Sequence, residues 1–97
     1  MVFTIIVRKR AERNIAEAFN WYEMKQGNLG YDFIENIEAE LNQIHENPFL
    51  YQTRYESIRC ALISRFPYGI FYWVDGNKII VLTVLHLSRD PRLWKIR

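Results

Sequence analysis

Hydrophobic residues change their spacing along the chain, and each spacing predicts a different element. Residues 2–7 form a short β-rich run, which predicts an opening strand. From Arg10 onward the apolar residues recur at intervals of three or four, the period of a helix that stops near Gly27 and Asn28. The apolar face of this first helix is formed by Ala11, Ile15, Ala18, Phe19 and Tyr22.

A second helical stripe follows after a short polar connection. It runs from about residue 30 to residue 46, and its apolar positions are Phe33, Ile37, Leu41 and Ile44. Asn47 and Pro48 end it, because proline offers no amide donor and disfavours the helical region for the residue before it. We therefore predict an antiparallel helical hairpin whose apolar stripes form core.

After a loop at residues 49–55 the period changes to two. One predicted face carries Ile58, Cys60 and Leu62, and the other carries Arg59, Ala61 and Ile63. This alternation predicts a strand with one face in the core and one face partly in water. Residues 67–74 and 79–85 are apolar on both faces, so they should be central strands. The Asp75-Gly76-Asn77 sequence between them predicts a tight turn with positive φ at both central positions.

The predicted element order is strand, helix, helix and three strands. Ninety-seven residues would leave two separate domains with too little core, so residues 1–97 are predicted to form a single domain. The predicted class is α+β: an N-terminal strand, the helical hairpin, and a three-stranded C-terminal antiparallel portion of the sheet. The hairpin is expected to pack on one face of this largely antiparallel sheet.

Charge is divided unevenly along the chain, although the net charge is only +2. Residues 1–50 carry five Lys and Arg against eight Asp and Glu, whereas residues 51–97 carry eight against three. The basic half suggests a polyanion or an acidic partner, and a solvated basic face is the alternative. The apolar residues 2–7 precede the basic residues 8–10, the reverse of a signal peptide, and no segment approaches a membrane span. We therefore expect a cytoplasmic protein.

The chain offers little for metal or cofactor chemistry. Cys60 cannot form an internal disulfide because it is the single cysteine, and its apolar neighbours favour a buried, unreactive thiol. His45 is predicted to lie at the surface of the second helix, far in sequence from His86. No metal site and no cofactor are predicted.

Polar residues follow the last predicted strand and form the candidate site. They are His86, Arg89, Asp90, Arg92 and Trp94. Rigid strands that end in polar groups are a common platform for binding or catalysis. Two interpretations stand for His86: a strand-end histidine bonded to a neighbour, or a general acid or base. Asp90 and Trp94 suit structural roles, whereas Arg89 and Arg92 suit an acidic partner.

Three motifs of the C-terminal half stand in a fixed order. They are Pro67-Tyr68-x-Ile70-x-Tyr72, the Asp75-Gly76 turn, and Val84-x-His86-x-x-Arg89-Asp90-Pro91-x-x-Trp94. Together with the two-helix pattern of the N-terminal half, they resemble the RelE/ParE superfamily of bacterial type II toxins over almost the whole length. The resemblance implies a RelE/ParE-like fold and a small growth-inhibiting toxin, of the kind associated with plasmid stabilization. It also implies a cognate antitoxin, encoded beside the toxin, that holds it inactive in a hetero-oligomer.

The superfamily divides by cellular target, and the resemblance implies different residues for each branch. RelE-like members are ribosome-dependent ribonucleases, which keep an arginine where this chain has Gly69 and a closing tyrosine where it has Trp94. Glycine cannot stabilise a phosphate by charge, and tryptophan has no ionisable hydroxyl. If the chain is nevertheless a nuclease, the candidate catalytic residues are Arg59, Arg65, His86 and Arg89.

ParE-like members inhibit DNA gyrase without a catalytic constellation of their own, so that branch fits the residues better. A ribosome-dependent mRNA ribonuclease is the alternative, and an inactive toxin-fold binding module is the third interpretation. The predicted partners are a cognate antitoxin and DNA gyrase, with the ribosome and mRNA as the alternative target and no membrane. We expect the antitoxin's C-terminal segment to fold on binding across the helical hairpin. Candidate partner-binding residues are Trp21, Met24, Phe49, Arg89, Arg92 and Trp94.

Overall fold

A computed structural model describes residues 2–88 of the chain. The elements are β1 (Thr4–Val7), α1 (Lys9–Lys25), α2 (Leu29–Glu46), β2 (Thr53–Tyr55), β3 (Ile58–Leu62), β4 (Tyr68–Asp75) and β5 (Lys78–His86). The predicted α+β class, with its opening strand and helical hairpin, is confirmed. The predicted site residues Arg89, Asp90, Arg92 and Trp94 lie outside the described residues.

The strands form one sheet in the order β1-β5-β4-β3-β2. β1 pairs with β5 in parallel, and the other neighbouring strands are antiparallel. β4 and β5 are therefore central, as their apolar sequences predict. The C-terminal portion has four strands, so the prediction of three strands and of a loop through residue 55 is wrong. Three residues are too few to show a period, and β2 is held at the sheet edge by its pairing with β3.

The hairpin between β4 and β5 differs in one detail from the predicted turn. Asp75, the last residue of β4, pairs with Lys78, the first residue of β5, so Gly76 and Asn77 are the central residues of the turn. Of these two residues, Gly76 alone has a positive φ, at 61°. A single positive φ at the first central position is the requirement of a type II′ turn, for which glycine is preferred.

Both faces of the sheet carry buried apolar residues. The main core lies between the sheet and the two helices, and it includes Ala11, Ala18, Tyr22, Phe33, Ile37, Ile44, Ala61, Ile70, Tyr72, Ile79, Val81 and Val84. The opposite face carries a second cluster, formed by Ile58, Cys60, Phe71, Leu82 and Leu85. Burial raises the pKa of the Cys60 thiol, although Arg54 opposes the shift. The prediction that Cys60 is buried is confirmed, and a raised pKa disfavours the reactive thiolate.

The junction of the two helices depends on a close backbone approach. A Cβ atom at Gly30 would lie 2.6 Å from Glu23 Cγ and 2.7 Å from the carbonyl oxygen of Phe19. The Glu23 carboxylate accepts hydrogen bonds from the backbone amides of Asn28 and Gly30, at 3.2 and 3.0 Å. These amides lie at the start of α2 and lack partners within the helix, so the acidic side chain of α1 fixes where α2 begins.

His45 is exposed, as predicted, but it has a partner that its sequence position does not reveal. Its Nε2 lies 2.6 Å from the carbonyl oxygen of Phe3 and donates to it. This bond joins the last turn of α2 to the segment before β1. Within the described range 2–88, no helix is long and apolar enough to cross a membrane.

Candidate functional site

An open cleft lies between α1 and the ends of β4 and β5, and we call it the strand-end cleft. Its volume is about 530 Å³. The lining residues are Asn14, Glu17, Ala18, Trp21, Tyr22, Pro67, Tyr68, Val84, Leu85 and His86. A concave site of this volume, with aromatic walls and a few polar groups, has the usual character of a binding site. His86 is the residue of the predicted rim that the structure places in it.

Two neighbours orient the His86 ring. Tyr68 lies opposite His86 in the β4–β5 ladder, and their rings meet edge to face with centroids 5.2 Å apart. The backbone amide of Ser88 donates to Nδ1 at 3.1 Å, and the Ser88 hydroxyl lies 2.8 Å from the same nitrogen. Because Nδ1 accepts these bonds, the neutral ring carries its proton on Nε2. The interpretation as a strand-end histidine bonded to a neighbour therefore has a direct structural basis.

Asn14 joins the α1 wall of the cleft to β5. β1 pairs with β5 only as far as Val81, so the outer edge of β5 beyond that residue needs other partners. The Asn14 side-chain oxygen supplies them: it accepts from the Thr83 hydroxyl at 2.6 Å and from the Val84 amide at 3.1 Å. Sequence reasoning missed this residue. The sequence feature that could have indicated Asn14 is a polar residue of low helix propensity next to the apolar face of a predicted helix.

Packed aromatic rings form the floor of the cleft. The Tyr22 ring lies 4.9 Å from Phe66 and 5.4 Å from Phe33, measured between centroids. Burial raises the pKa of Tyr22, and the neighbouring Tyr68 raises it further. Trp21 forms the wall above this floor, with its ring edge to face against Tyr22 and 54% of its surface exposed. The floor is therefore rigid and the wall is accessible to a ligand.

The predicted catalytic arginine Arg59 does not meet His86. Arg59 pairs with Tyr72 of β4, whereas His86 pairs with Tyr68, four residues away along the same strand. This offset of four residues separates Arg59 from His86 by about 13 Å along the strand direction. Arg59 instead donates to the carbonyl oxygen of Tyr51, and its guanidinium lies 5.2 Å from the centre of the Phe49 ring.

The second predicted catalytic arginine, Arg65, faces α2. Its guanidinium pairs with Asp32 at 3.6 Å and lies 5.7 Å from the centre of the Phe66 ring. The Arg65 side chain is 61% exposed, so this ion pair contributes at most about 1 kcal/mol. Arg65 also adopts a positive φ of 71° in the turn between β3 and β4. The last catalytic candidate, Arg89, lies outside the described residues.

Gly69 occupies an apolar position on the sheet face opposite the helices. A Cβ atom there would lie 2.8 Å from Cys60 Sγ, 3.3 Å from Phe71 Cε1 and 3.6 Å from Leu87 Cδ2. A side chain at this position would have to displace Cys60. Apolar packing thus leaves little room for a side chain at position 69.

The predicted partner-binding residues that the structure describes lie in two separate places. Trp21 and Met24 lie on the last turns of α1, where Met24 is 87% exposed. Phe49 follows the end of α2, at the opposite end of the hairpin, and its ring packs edge to face against Phe3. Arg92 and Trp94 lie outside the described residues. Among residues 2–88, no group of three or more His, Cys, Asp or Glu side chains could hold a metal ion.

Comparison with known proteins identifies the class. The family model described as the ParE toxin of type II toxin-antitoxin systems, parDE, matches residues 5–91. The chain belongs to this family of toxins, which confirms the resemblance seen in its sequence. A search of curated proteins found no match.

Two solved structures show the same fold. The chain is similar to one from the chromosomal ParDE toxin-antitoxin system of P. aeruginosa, with a TM-score of 0.80, 13% identity, and coverage of 89% of this chain and 97% of that chain. It is also similar to a chain of the RelBE2 toxin-antitoxin complex from Mycobacterium tuberculosis, with a TM-score of 0.60, 17% identity, and coverage of 89% and 99%. At these identities the likeness shows the fold.

Proposed function

We propose that this chain is a toxin neutralised by a cognate antitoxin and that, when free, it arrests growth by binding DNA gyrase, without catalysis of its own. Membership of the ParE family supports the toxin activity. The two structural neighbours come from toxin-antitoxin systems, which supports an antitoxin partner. The protein is proposed to act in the cytoplasm, where gyrase and DNA are found, within a toxin-antitoxin hetero-oligomer until the antitoxin is removed.

The observation that carries this proposal is the packing around Gly69. Cleavage of RNA requires several basic groups around one phosphate, and the loss of one preorganised donor costs on the order of a hundredfold to a thousandfold in rate. In this chain the resemblance places the nuclease arginine at position 69, where a Cβ would lie 2.8 Å from Cys60 Sγ and 3.3 Å from Phe71 Cε1. Arg59 lies about 13 Å along the strands from the level of His86. This arrangement favours binding over phosphate chemistry.

A ribosome-dependent ribonuclease remains the second candidate because of one observation. His86 is half-buried in the strand-end cleft, with a ring orientation fixed by Tyr68 and Ser88. A fixed imidazole in a cleft is a suitable general acid or base.

Two parallel assays separate the candidates. The purified chain is added to gyrase and relaxed plasmid in one assay, and to translating ribosomes with a defined mRNA in the other. We expect loss of supercoiling with intact mRNA, and recovery of supercoiling when the protein of the adjacent antitoxin gene is added. Ribosome-dependent mRNA cuts with unaffected gyrase would identify the ribonuclease instead. No effect in either assay, with antitoxin binding retained, would identify the inactive binding module.

A further inference from the structure

Glu17 gives the strand-end cleft its charge. Among the described residues that line the cleft, it is the one that carries a full charge when His86 is neutral. It is exposed on α1, and within residues 2–88 no cation lies within ion-pair distance of its carboxylate. A carboxylate at the mouth of an aromatic cleft attracts a cation and repels an anion.

Aromatic rings beside this carboxylate favour the same kind of ligand. Trp21, Tyr22, Tyr68 and His86 all contribute rings to the lining. Cations are attracted to the electron-rich faces of tryptophan and tyrosine rings, most strongly to that of tryptophan. The Trp21 indole already shows this property, because the ammonium group of Lys25 lies 4.9 Å from the centre of its ring.

The hydrogen bonds already formed in the cleft narrow the choice of ligand. The Asn14 side-chain oxygen is occupied by Thr83 and Val84, and His86 Nδ1 is occupied by Ser88. The Glu17 carboxylate is therefore the strong acceptor that remains for a ligand among the described lining side chains. A ligand that donates hydrogen bonds and carries positive charge satisfies it.

We propose that the strand-end cleft binds an arginine side chain of a partner protein, with the guanidinium on the Glu17 carboxylate and against the Trp21 ring. A planar guanidinium suits this site better than an ammonium group, because it stacks on aromatic faces and presents paired donors to a carboxylate. The volume of about 530 Å³ accommodates this side chain together with adjoining backbone. The inference rests on the proposed function in one respect, that a partner protein supplies the arginine.

The test uses the purified full chain, labelled with ¹⁵N, and three small probes: the N-acetyl amides of arginine, lysine and norleucine. We expect the arginine probe to shift the Trp21 indole resonance and the amides of cleft residues, with millimolar affinity. The lysine probe should bind more weakly, and the norleucine probe at least fivefold more weakly. Equal affinity for the norleucine probe, or shifts confined to residues outside the cleft, would overturn the proposal.

Two glutamate variants assign the charge. Glu17→Gln should weaken binding of the arginine probe about threefold, the effect of an exposed ion pair. Glu38→Gln, on the exposed side of α2, should leave the affinity unchanged. Unchanged affinity in Glu17→Gln would also overturn the proposal. Trp21→Leu provides a second variant that should lose binding while its amide spectrum remains that of a folded chain.

The probe measurement is independent of the gyrase and ribosome assays. Probe binding with the expected pattern, in a chain that leaves gyrase unaffected, would reject the gyrase target and keep the arginine site. Inhibition of gyrase by a chain that does not bind the arginine probe would keep the gyrase target and reject the arginine site.

Discussion

The side-chain oxygen of Asn14 lies 2.6 Å from the Thr83 hydroxyl, across 69 positions of sequence. The same oxygen accepts the Val84 amide, so one helical side chain completes the edge of β5 where β1 has ended. Thr83 is fully buried, and its hydroxyl needs a partner there. The contact fixes the position of α1 on the sheet, and with it the distance between the two walls of the strand-end cleft.

Replacement of Asn14 by alanine should therefore destabilise the fold. Asn14→Ala leaves the buried Thr83 hydroxyl and the Val84 amide without their acceptor, which should lower the free energy of unfolding by about 1–3 kcal/mol. Urea unfolding followed by circular dichroism measures the change. Asn20→Ala, at an exposed position of the same helix, is the control and should change stability by less than about 0.5 kcal/mol. Equal losses in the two variants would show that helix propensity, and not the bond to β5, sets the effect.

Gly30 should not tolerate even a methyl group. Alanine is the better helix former by about 1 kcal/mol, yet its Cβ would lie 2.7 Å from the Phe19 carbonyl oxygen, which belongs to rigid backbone. Gly30→Ala should therefore lower the free energy of unfolding by about 1–3 kcal/mol. Gly27→Ala is the matched control, because nothing lies within 4 Å of a Cβ at that position. A Gly30→Ala chain as stable as the Gly27→Ala chain would contradict the close packing of the helices.

The periodicity of the sequence was sufficient to predict both helices and the central position of β4 and β5. The predicted start of α2 at residue 30 and its end at residue 46 agree with Leu29–Glu46. The strand Thr53–Tyr55 could not be predicted, because its conformation is imposed by pairing with β3 and not by a pattern of its own.

The cleft was less predictable than the fold. His86 could be assigned to a rim because it follows an apolar strand. The opposite wall of the cleft is formed by α1. The position of α1 on the sheet depends on the hydrogen bond between Asn14 and Thr83, which the sequence does not reveal. Arg59 and Arg65 were grouped with His86 by charge and sequence region, but the register of β3 and β4 separates Arg59 from it. Residue type alone does not reveal such a separation.

Tyr72 should make the protein sensitive to alkali. Its buried hydroxyl donates to the Pro48 carbonyl oxygen at 2.5 Å. Burial raises the pKa of Tyr72 above the ordinary value of 10.0, and nearby Arg59 partly opposes the shift. A raised pKa favours the protonated form in the fold, so the stabilisation is complete below about pH 10 and is lost as the pH rises above that value.

Unfolding titrations between pH 8 and pH 12 test this dependence. Tyr72→Phe should lower the free energy of unfolding by about 1–2 kcal/mol at neutral pH, because the Pro48 carbonyl loses its donor. It should also weaken the decline of stability above pH 10. Tyr31→Phe, at a residue that is 59% exposed, is the control and should retain the full decline. An alkaline decline that is identical in the Tyr72→Phe chain would assign it to other groups.

Substitution of Arg65 tests whether the toxin acts by binding or by catalysis. The Arg65 guanidinium pairs with Asp32 on the exposed surface of α2, whereas the Arg59 guanidinium donates to the Tyr51 carbonyl oxygen. Arg65→Gln should therefore keep growth inhibition and gyrase inhibition within about twofold and change stability by at most about 1 kcal/mol. A nuclease that used this arginine would lose about a hundredfold or more in activity. The same assays on Asp32→Asn provide the matched control for loss of the ion pair.

The packing of Gly69 against Cys60 can be tested by substitution. A Cβ at residue 69 would lie 2.8 Å from Cys60 Sγ, so Gly69→Ala should lower the free energy of unfolding by about 1–3 kcal/mol. Cys60→Ala removes the sulfur and should cost about 1 kcal/mol through a small cavity. In the double variant the new methyl group enters the space that the sulfur has left, so the two losses should not add.

The coupling between the two substitutions decides the result. We expect the double variant to be more stable than the sum of the single losses predicts, by at least about 0.5 kcal/mol. Leu62→Ala, at a half-exposed residue of β3 that pairs with Gly69, replaces Cys60→Ala in a parallel control cycle and should show less coupling. Additive losses in the Gly69 and Cys60 cycle would mean that the sulfur does not close this position. The position would then be open to a longer side chain, and the main structural argument against phosphate chemistry in this chain would be lost.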